Sequence, residues 1–278
     1  MSLPAPAIGV LLRDWRQRRR LSQLDLACEA EISTRHLSFV ETGRSRPSRE
    51  MLMHLLELLE IPLRERNGLL LAAGFAPVYA EHDLHSPVLA AAREALQMVL
   101  RGHEPYPALV VDRHWNLLDA NTAAMRLMSG IAPELLTPPV NVLRVNLHPG
   151  GLAPRIINLI EVREHILSRL KRMALHSGDS VLRDLHDELA AYPYGDVDAR
   201  APVASPHTDV VLPVRFRSAL GELALFTTIT QFGTPMDVTL SEIMLESCYP
   251  ADAATAALLR QMAEAPASAL RSRDSAAE

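Results

Sequence analysis

The sequence predicts an α+β chain of two domains: an all-α unit of five short helices, then an antiparallel sheet carrying helices of its own. Three observations lead there. Apolar residues recur at helical spacing through about the first 75 residues. From about residue 108 onward, short runs around tight turns alternate with amphipathic stretches, and the C-terminal part alternates apolar and polar residues as strands do. The length, 278 residues, holds about two domains of ordinary size.

The first helix is marked by Ile8, Leu11, Leu12 and Trp15. The run LSQLDLACEAEISTRHLSFVE, Leu21 to Glu41, is the most telling part of the chain. Ser22 stands as an N-cap before Gln23, and Asp25 places negative charge in the first turn, where the helix dipole favours it. Leu26 and Ala27 fall on the inner face, with Ala27 small because two helices cross there. Ala30 and Ile32 bracket a turn. Glu31 sits where the chain turns left-handed and glycine would be easier, a cost of roughly 1 kcal/mol. Ser33 caps the next helix, anchored by Leu37 and Val40 and polar at Thr34, Arg35, His36 and Ser38. Such a helix is suited to read base edges in the major groove of DNA. An ordinary helical hairpin is the plainer alternative.

The loop behind this helix favours DNA over the plain hairpin. Gly43 is placed to stop the helix, and Arg44, Arg46 and Arg49 crowd the residues after it, positioned to pair with backbone phosphates. Ser48 then caps a helix with a broad stripe of Met51, Leu52, Leu55, Leu56, Leu58 and Leu59. Pro62 opens the fifth helix, PLRERNGLLLAAGF.

The motifs LSQxxLA, ISTRHLSFVETGRSRP and PLRERNGLLLAAGFAP resemble the XRE-type, lambda-repressor-like helix-turn-helix domain of the MmyB-like subgroup of bacterial regulators, over residues 8 to about 80. The resemblance implies that Gln23 touches phosphate and that Thr34 and Arg35 read bases. It also implies that Phe39 meets a thymine methyl and that Arg16 and Glu41 form a structural ion pair. The partner implied is double-stranded DNA. The candidate DNA-binding set is Gln23, Ser33, Thr34, Arg35, His36, Ser38, Phe39, Arg44, Arg46 and Arg49.

Prolines and histidines break the apolar period at residues 74–87. A helix comes next over residues 86–101, then a hairpin of Ala108–Asp112 and Trp115–Asp119. Asn121 is placed to cap NTAAMRLMSG. Two longer helices succeed it, one running from Pro154 with Ile156, Leu159, Ile160, Ile166, Leu167 and Leu170 on a common side, the other opened by Asp179. DVVLPVRFRS, GELALFTTITQF and PMDVTLSEIMLES then read as three antiparallel strands. That order is found in PAS-like sensor domains. The expected organisation is a helix-turn-helix domain over 1–80, a connecting segment and helix over 81–100, a PAS-like domain over 101–264 and a frayed tail over 265–278.

LLDANTAAM, NLHPGGLAPRIINLIEVREHILSRL and LALFTTITQFGTPMDVTLSEIMLESCYPADAATAALL resemble the MmyB-like ligand-binding domain, over roughly residues 100–262. That resemblance implies a small apolar ligand, fatty acids among the candidates. A greasy cavity for such a ligand needs one or two polar groups to fix its head. Arg155 and Asn158, spaced i, i+3, are the candidates, with Asn121 adding a hydrogen bond; the alternative is that Arg155 answers an acid such as Asp119 or lies in solvent.

Charge and composition bound the remaining classes. The net charge is −5, but residues 1–80 carry 11 arginines against 9 acidic residues, a net of +2, and the remainder 17 basic against 24 acidic, a net of −7. A local positive patch beside an acidic domain suits a specific DNA binder better than a protein that coats nucleic acid. Cys28, in a packed helix, and Cys248 lie too far apart in sequence for a disulfide framework and point to a reducing cytoplasm. No apolar run approaches the length of a membrane span, and the first residues lack a basic region followed by an apolar block, so neither a membrane-spanning nor a secreted protein is expected. There is no HExxH, Cys-x-x-Cys, GxSxG or phosphate-binding glycine loop, so neither enzyme, metal nor cofactor is expected. His186, Asp187 and Glu188 read as a solvated helix face, and Gly150-Gly151 as a bare turn. The expectation is a cytoplasmic regulator acting as a homodimer. Its rival is an antitoxin-like regulator whose acidic domain binds a protein partner.

Overall fold

The computed structural model describes residues 8–193 and 212–264. The tail expected over 265–278, and residues 209–211 of the first expected C-terminal strand, lie outside them. The chain divides into two compact units, the first built mainly on residues 8–83, the second on 84–172, 180–233 and 242–264. The segments 173–179 and 234–241 group with the first unit.

Residues 8–83 of the first unit form five helices: α1 (Ile8–Arg18), α2 (Gln23–Glu29), α3 (Thr34–Glu41), α4 (Arg49–Leu58) and α5 (Leu63–Ala72). Their starts are set by short-range hydrogen bonds. The Ser22 hydroxyl accepts from the Asp25 amide at 3.1 Å while Asp25 accepts from the Ser22 amide at 3.0 Å, a reciprocal cap on α2. Ser33 and Ser48 cap α3 and α4 by accepting from His36 and Met51. Glu31 has φ +54°, so the left-handed turn between α2 and α3 is made without glycine. The core gathers Leu12, Trp15, Leu26, Ala27, Leu37, Val40, Leu52, Leu55, Leu56 and Leu70. Gly9 belongs to the same packing: a Cβ there would lie 2.3 Å from the Val40 carbonyl oxygen and 2.6 Å from that of Glu41, so α1 crosses the end of α3 backbone to backbone. Cys28 corrects an expectation, for although it lies in α2 it is exposed on the outer side of that helix.

The second unit opens with a 3₁₀ turn, Pro87–Leu89, running into α6 (Ala90–Gly102). The hairpin comes next as β1 (Ala108–Val111) and β2 (Leu117–Ala120), then α7 (Thr122–Leu127), α8 (Val142–Leu147), α9 (Leu159–Ser177) and α10 (Ser180–Ala191). β3 (Val214–Ser218), β4 (Gly221–Thr230), β5 (Met244–Pro250) and α12 (Ala253–Glu264) complete the unit, and the short α11 (Val238–Glu242), between β4 and β5 in sequence, falls almost wholly in the segment that groups with the first unit. The sheet is antiparallel throughout, in the order β2-β1-β5-β4-β3, so the last strand in sequence is the central one.

Three elements differ from expectation, each for a local reason. Trp115 is not in a strand: its φ is +68°, in a turn where the Asp112 carboxylate accepts from the His114 and Asn116 amides at 2.8 and 2.9 Å. The helix expected from Pro154 breaks after a 3₁₀ turn, because Ile156 pairs with Phe216 of the edge strand and the Ile157 amide donates to the Arg215 carbonyl at 2.7 Å. PMDVTLSEIMLES is a strand only from Met244. Asp237 caps α11 ahead of it, its carboxylate accepting from the Leu240 amide and its carbonyl from the Ser241 amide. Val238 and Thr239 favour strands intrinsically, and the cap overrides them.

Candidate DNA-reading helix and ligand cavity

In the first unit α3 presents a short polar face. Arg35 is exposed, Thr34, His36, Ser38 and Phe39 are half-buried along it, and the loop arginines Arg44, Arg46 and Arg49 are all exposed. The Phe39 ring joins the two groups. The Arg35 guanidinium lies 5.3 Å and that of Arg44 5.8 Å from its centroid, within cation–π range. The loop is held to the helix end by the Phe39 carbonyl, which accepts from the Arg44 and Ser45 amides at 2.8 and 3.1 Å, and Gly43 turns the chain with φ +74°.

Two of the candidate residues are already engaged within the unit. The Ser33 hydroxyl is taken up by its cap, and Gln23 Nε2 donates to Glu41 Oε2 at 2.7 Å. Glu41 is the hub of the scaffold: Arg16 donates to both its oxygens, at 2.6 and 2.9 Å. Burial pushes its carboxyl up, but the hydrogen bonds from Arg16 and Gln23 and the charges of Arg16 and Arg13 outweigh that and hold it below the usual carboxylate range.

In the second unit one face of the sheet and the helices over it enclose a cavity of about 130 Å³. Leu109 of β1, Leu225 and Thr227 of β4, Val214 and Phe216 of β3, and Glu246 and Cys248 of β5 line its floor. Strand alternation puts Glu246 and Cys248 on this face and Leu245 and Ser247 on the other. The roof comes from α7, α8 and the succession Val162, His165, Ile166, Arg169 on one side of α9. The lining is apolar apart from a few groups, and Arg169 and Glu246 are its charges. Burial lowers the Arg169 pKa, partly offset by Glu246, and burial raises that of Glu246, partly offset by Arg169 and Thr227. Burial, then the Glu246 charge, also pushes the Cys248 thiol up. His165, exposed at the rim, is held down by desolvation and by Arg169 and Arg172.

Two family profiles match these two units. That of the MmyB-like transcription regulator ligand binding domain matches residues 92–262, and a helix-turn-helix domain profile matches residues 7–69. The chain belongs to the MmyB-like transcription regulators. No curated protein matches it. A solved structure described as an RNA-binding Light-Oxygen-Voltage receptor aligns over 92% of this chain and 60% of its own, at 14% identity and a TM-score of 0.27. This chain thus spans 60% of that one's length, an overlap too loose to bear on function.

This MmyB-like regulator places the three expected ligand residues outside the cavity lining. Asn121 is buried as the cap of α7, its oxygen accepting from Ala108 and Ala124 and its amide donating to Tyr106 and Leu100 carbonyls. Arg155 donates to the carbonyls of Leu127, Ser129 and Arg217, and Asn158 bridges Pro213 and Arg215 of the edge strand. Sequence reasoning missed Arg169 and Glu246. Their signal was an arginine on the same side of its helix as Val162 and Ile166, and an acid in register with Cys248 on one face of its strand.

Trp115, fully buried, carries the Arg169 guanidinium 4.1 Å from its ring centroid. Glu188, expected in a solvated face, is partly exposed and pairs there with Arg144 at 2.8 and 2.7 Å. Gly151 does make a turn, one so close that a Cβ would lie 2.1 Å from the Val145 carbonyl oxygen. Among the described residues no group of three metal-binding side chains occurs and no helix is long and apolar enough to cross a membrane.

Proposed function

We propose that this protein is a cytoplasmic, sequence-specific transcription regulator that acts as a two-fold homodimer on double-stranded DNA and is controlled by a small, mainly apolar ligand in its second unit. The observation that carries the reading is the cavity. An apolar site that keeps a few polar groups is what a binding site for a small ligand requires, and charges are otherwise rarely retained in a core. Arg35 and its neighbours on α3 would read bases, and Arg44, Arg46 and Arg49 would hold phosphates. Fatty acids are the ligand class that the family resemblance implies. A cavity of about 130 Å³ favours compact ligands over long chains, since pockets for drug-sized molecules run to roughly 300–1,000 Å³.

The ligand would shift the protein between DNA-competent and incompetent arrangements, only as far as its affinities for the two differ. Selection of bound sites from a random DNA library, using the full chain, tests this. A palindromic site with half-sites about one helical turn apart is expected, together with a dimer by native mass spectrometry and a co-purified small molecule. No sequence enrichment removes the DNA-reading role, and a stoichiometric protein partner in place of a small molecule overturns ligand control.

A further inference from the structure

The cavity is lined in part by two ionisable groups, Arg169 and Glu246, between which no hydrogen bond runs among the described residues. Arg169 reaches it from α9 and Glu246 from the central strand, and each feels the other electrostatically. The Arg169 guanidinium has five N–H donors, yet among the described residues its close contact is the face of Trp115, which accepts no conventional hydrogen bond. Trp115 is held in a left-handed conformation that bulky side chains avoid, so the ring on which Arg169 rests is maintained against backbone strain. Arg169 is half-buried, and a ligand acceptor placed in the cavity would take the place of water at its N–H groups.

Charge and volume narrow the ligand. A ligand anion would satisfy Arg169 but lie against Glu246, and a cation would do the reverse. In a poorly solvated site either leaves an unbalanced charge or forces Glu246 to change protonation. An uncharged ligand with an acceptor for Arg169 and an adjacent donor for Glu246 answers both groups and leaves the cavity neutral. The volume, about 130 Å³, compares with the roughly 150 Å³ of a cavity that accepts benzene.

Resting on the reading of this cavity as the sensing site, we propose that it binds a compact, uncharged, ring-sized molecule that presents a carbonyl-type acceptor to Arg169 and an adjacent N–H to Glu246, as a small cyclic amide does. Leu109, Val162, Phe216 and Leu225 would enclose its apolar side.

Calorimetric titration of the full chain with four probes tests this: δ-valerolactam, the open-chain anion valerate, the cation cyclohexylamine and the longer anion decanoate. The lactam is expected to bind at least ten-fold more tightly than valerate or cyclohexylamine. In Glu246→Gln, where the Arg169 charge is uncompensated, the preference should move at least ten-fold toward valerate. Because this reads a ratio between probes on one protein, a partial loss of folded protein does not imitate it. Tighter binding of valerate or decanoate to the wild type overturns the neutral-ligand assignment while leaving ligand control intact. Binding of no probe also overturns it. Ligand control itself falls only if, in addition, a small-molecule extract of producing cells leaves affinity for the selected DNA site unchanged.

Discussion

Arg16 of α1 grips both carboxylate oxygens of Glu41 at the end of α3, at 2.6 and 2.9 Å, with both side chains almost wholly removed from solvent. The pair joins the first helix to the helix that carries the polar face, and Gln23 of α2 adds a third hydrogen bond to the same carboxylate. Three helices therefore meet at one charge. Its worth lies less in net stabilisation than in what its loss would leave behind: a buried guanidinium with its partner removed.

Glu41→Gln is expected to destabilise the first unit by about 3 kcal/mol, the usual scale for stripping one partner from a buried ion pair. The pH dependence has a definite sign. The Glu41 carboxyl lies lower in the folded protein than its ordinary value of 4.5, so its contribution is present above about pH 4.5 and is lost as pH falls through the folded value. Urea unfolding across the acid range up to neutrality should show stability falling toward the acid end, with a shallower fall in Glu41→Gln. Parallel curves for the two proteins would remove Glu41 as the acid-sensitive group.

Gly9→Ala separates helix propensity from packing. In an exposed helix this change would stabilise by roughly 1 kcal/mol. Here the new methyl would stand 2.3 Å from a backbone oxygen of Val40, which cannot rotate aside, so α1 must move off α3. A net loss of about 1–3 kcal/mol is expected, the range for overpacked cores. A rise in melting temperature would show that α1 and α3 do not touch at Gly9.

Glu31→Gly should act in the opposite direction. A side chain at φ +54° costs about 1–2 kcal/mol, and glycine removes that cost. Glycine also gives the unfolded chain extra freedom worth about 0.4–1 kcal/mol. The balance is a gain of about 0.5 kcal/mol, readable as a higher urea midpoint at unchanged slope. A lower midpoint would mean that the turn relaxes around Glu31 without strain.

Local signals in the sequence carried the first unit and only part of the second. Ser22, Ser33 and Ser48 cap their helices through bonds spanning three residues, and such spacing is visible in a string of letters. Gly9 was not legible, because a glycine in a helix announces nothing until the helix crossing it is known. In the second unit the strands around Phe216 and Leu225 were legible from alternation, but which strand would be central was not. Glu246 becomes a cavity residue only because β5 lies between β1 and β4, an outcome of topology and not of local pattern. Arg169 likewise needed a roof and a floor before its place on α9 had meaning. Arg155 and Asn158 have the spacing of a ligand-facing pair, yet their polar groups are spent on backbone carbonyls and amides of the sheet edge and its neighbours.

The Phe39 ring lies beside both the arginine proposed to read bases and one proposed to hold phosphate, and that gives the sharpest test of the proposed DNA surface. Arg35→Ala is expected to cost about 1–3 kcal/mol at one base pair of each half-site and little elsewhere. Arg44→Ala, Arg46→Ala and Arg49→Ala should each weaken binding evenly across sequences and lower the salt slope by about one unit. The guanidinium groups of Arg35 and Arg44 both lie within cation–π range of Phe39, so Phe39→Ala releases both from the ring. It should therefore combine the two phenotypes, losing discrimination at the Arg35 base pair and part of the salt dependence together. Fluorescence anisotropy on a set of single-base operator variants, repeated at several salt concentrations, separates the effects. If Phe39→Ala changes neither, or changes preference only at a thymine of its own, the ring is a contact in its own right and not the link between its two arginines.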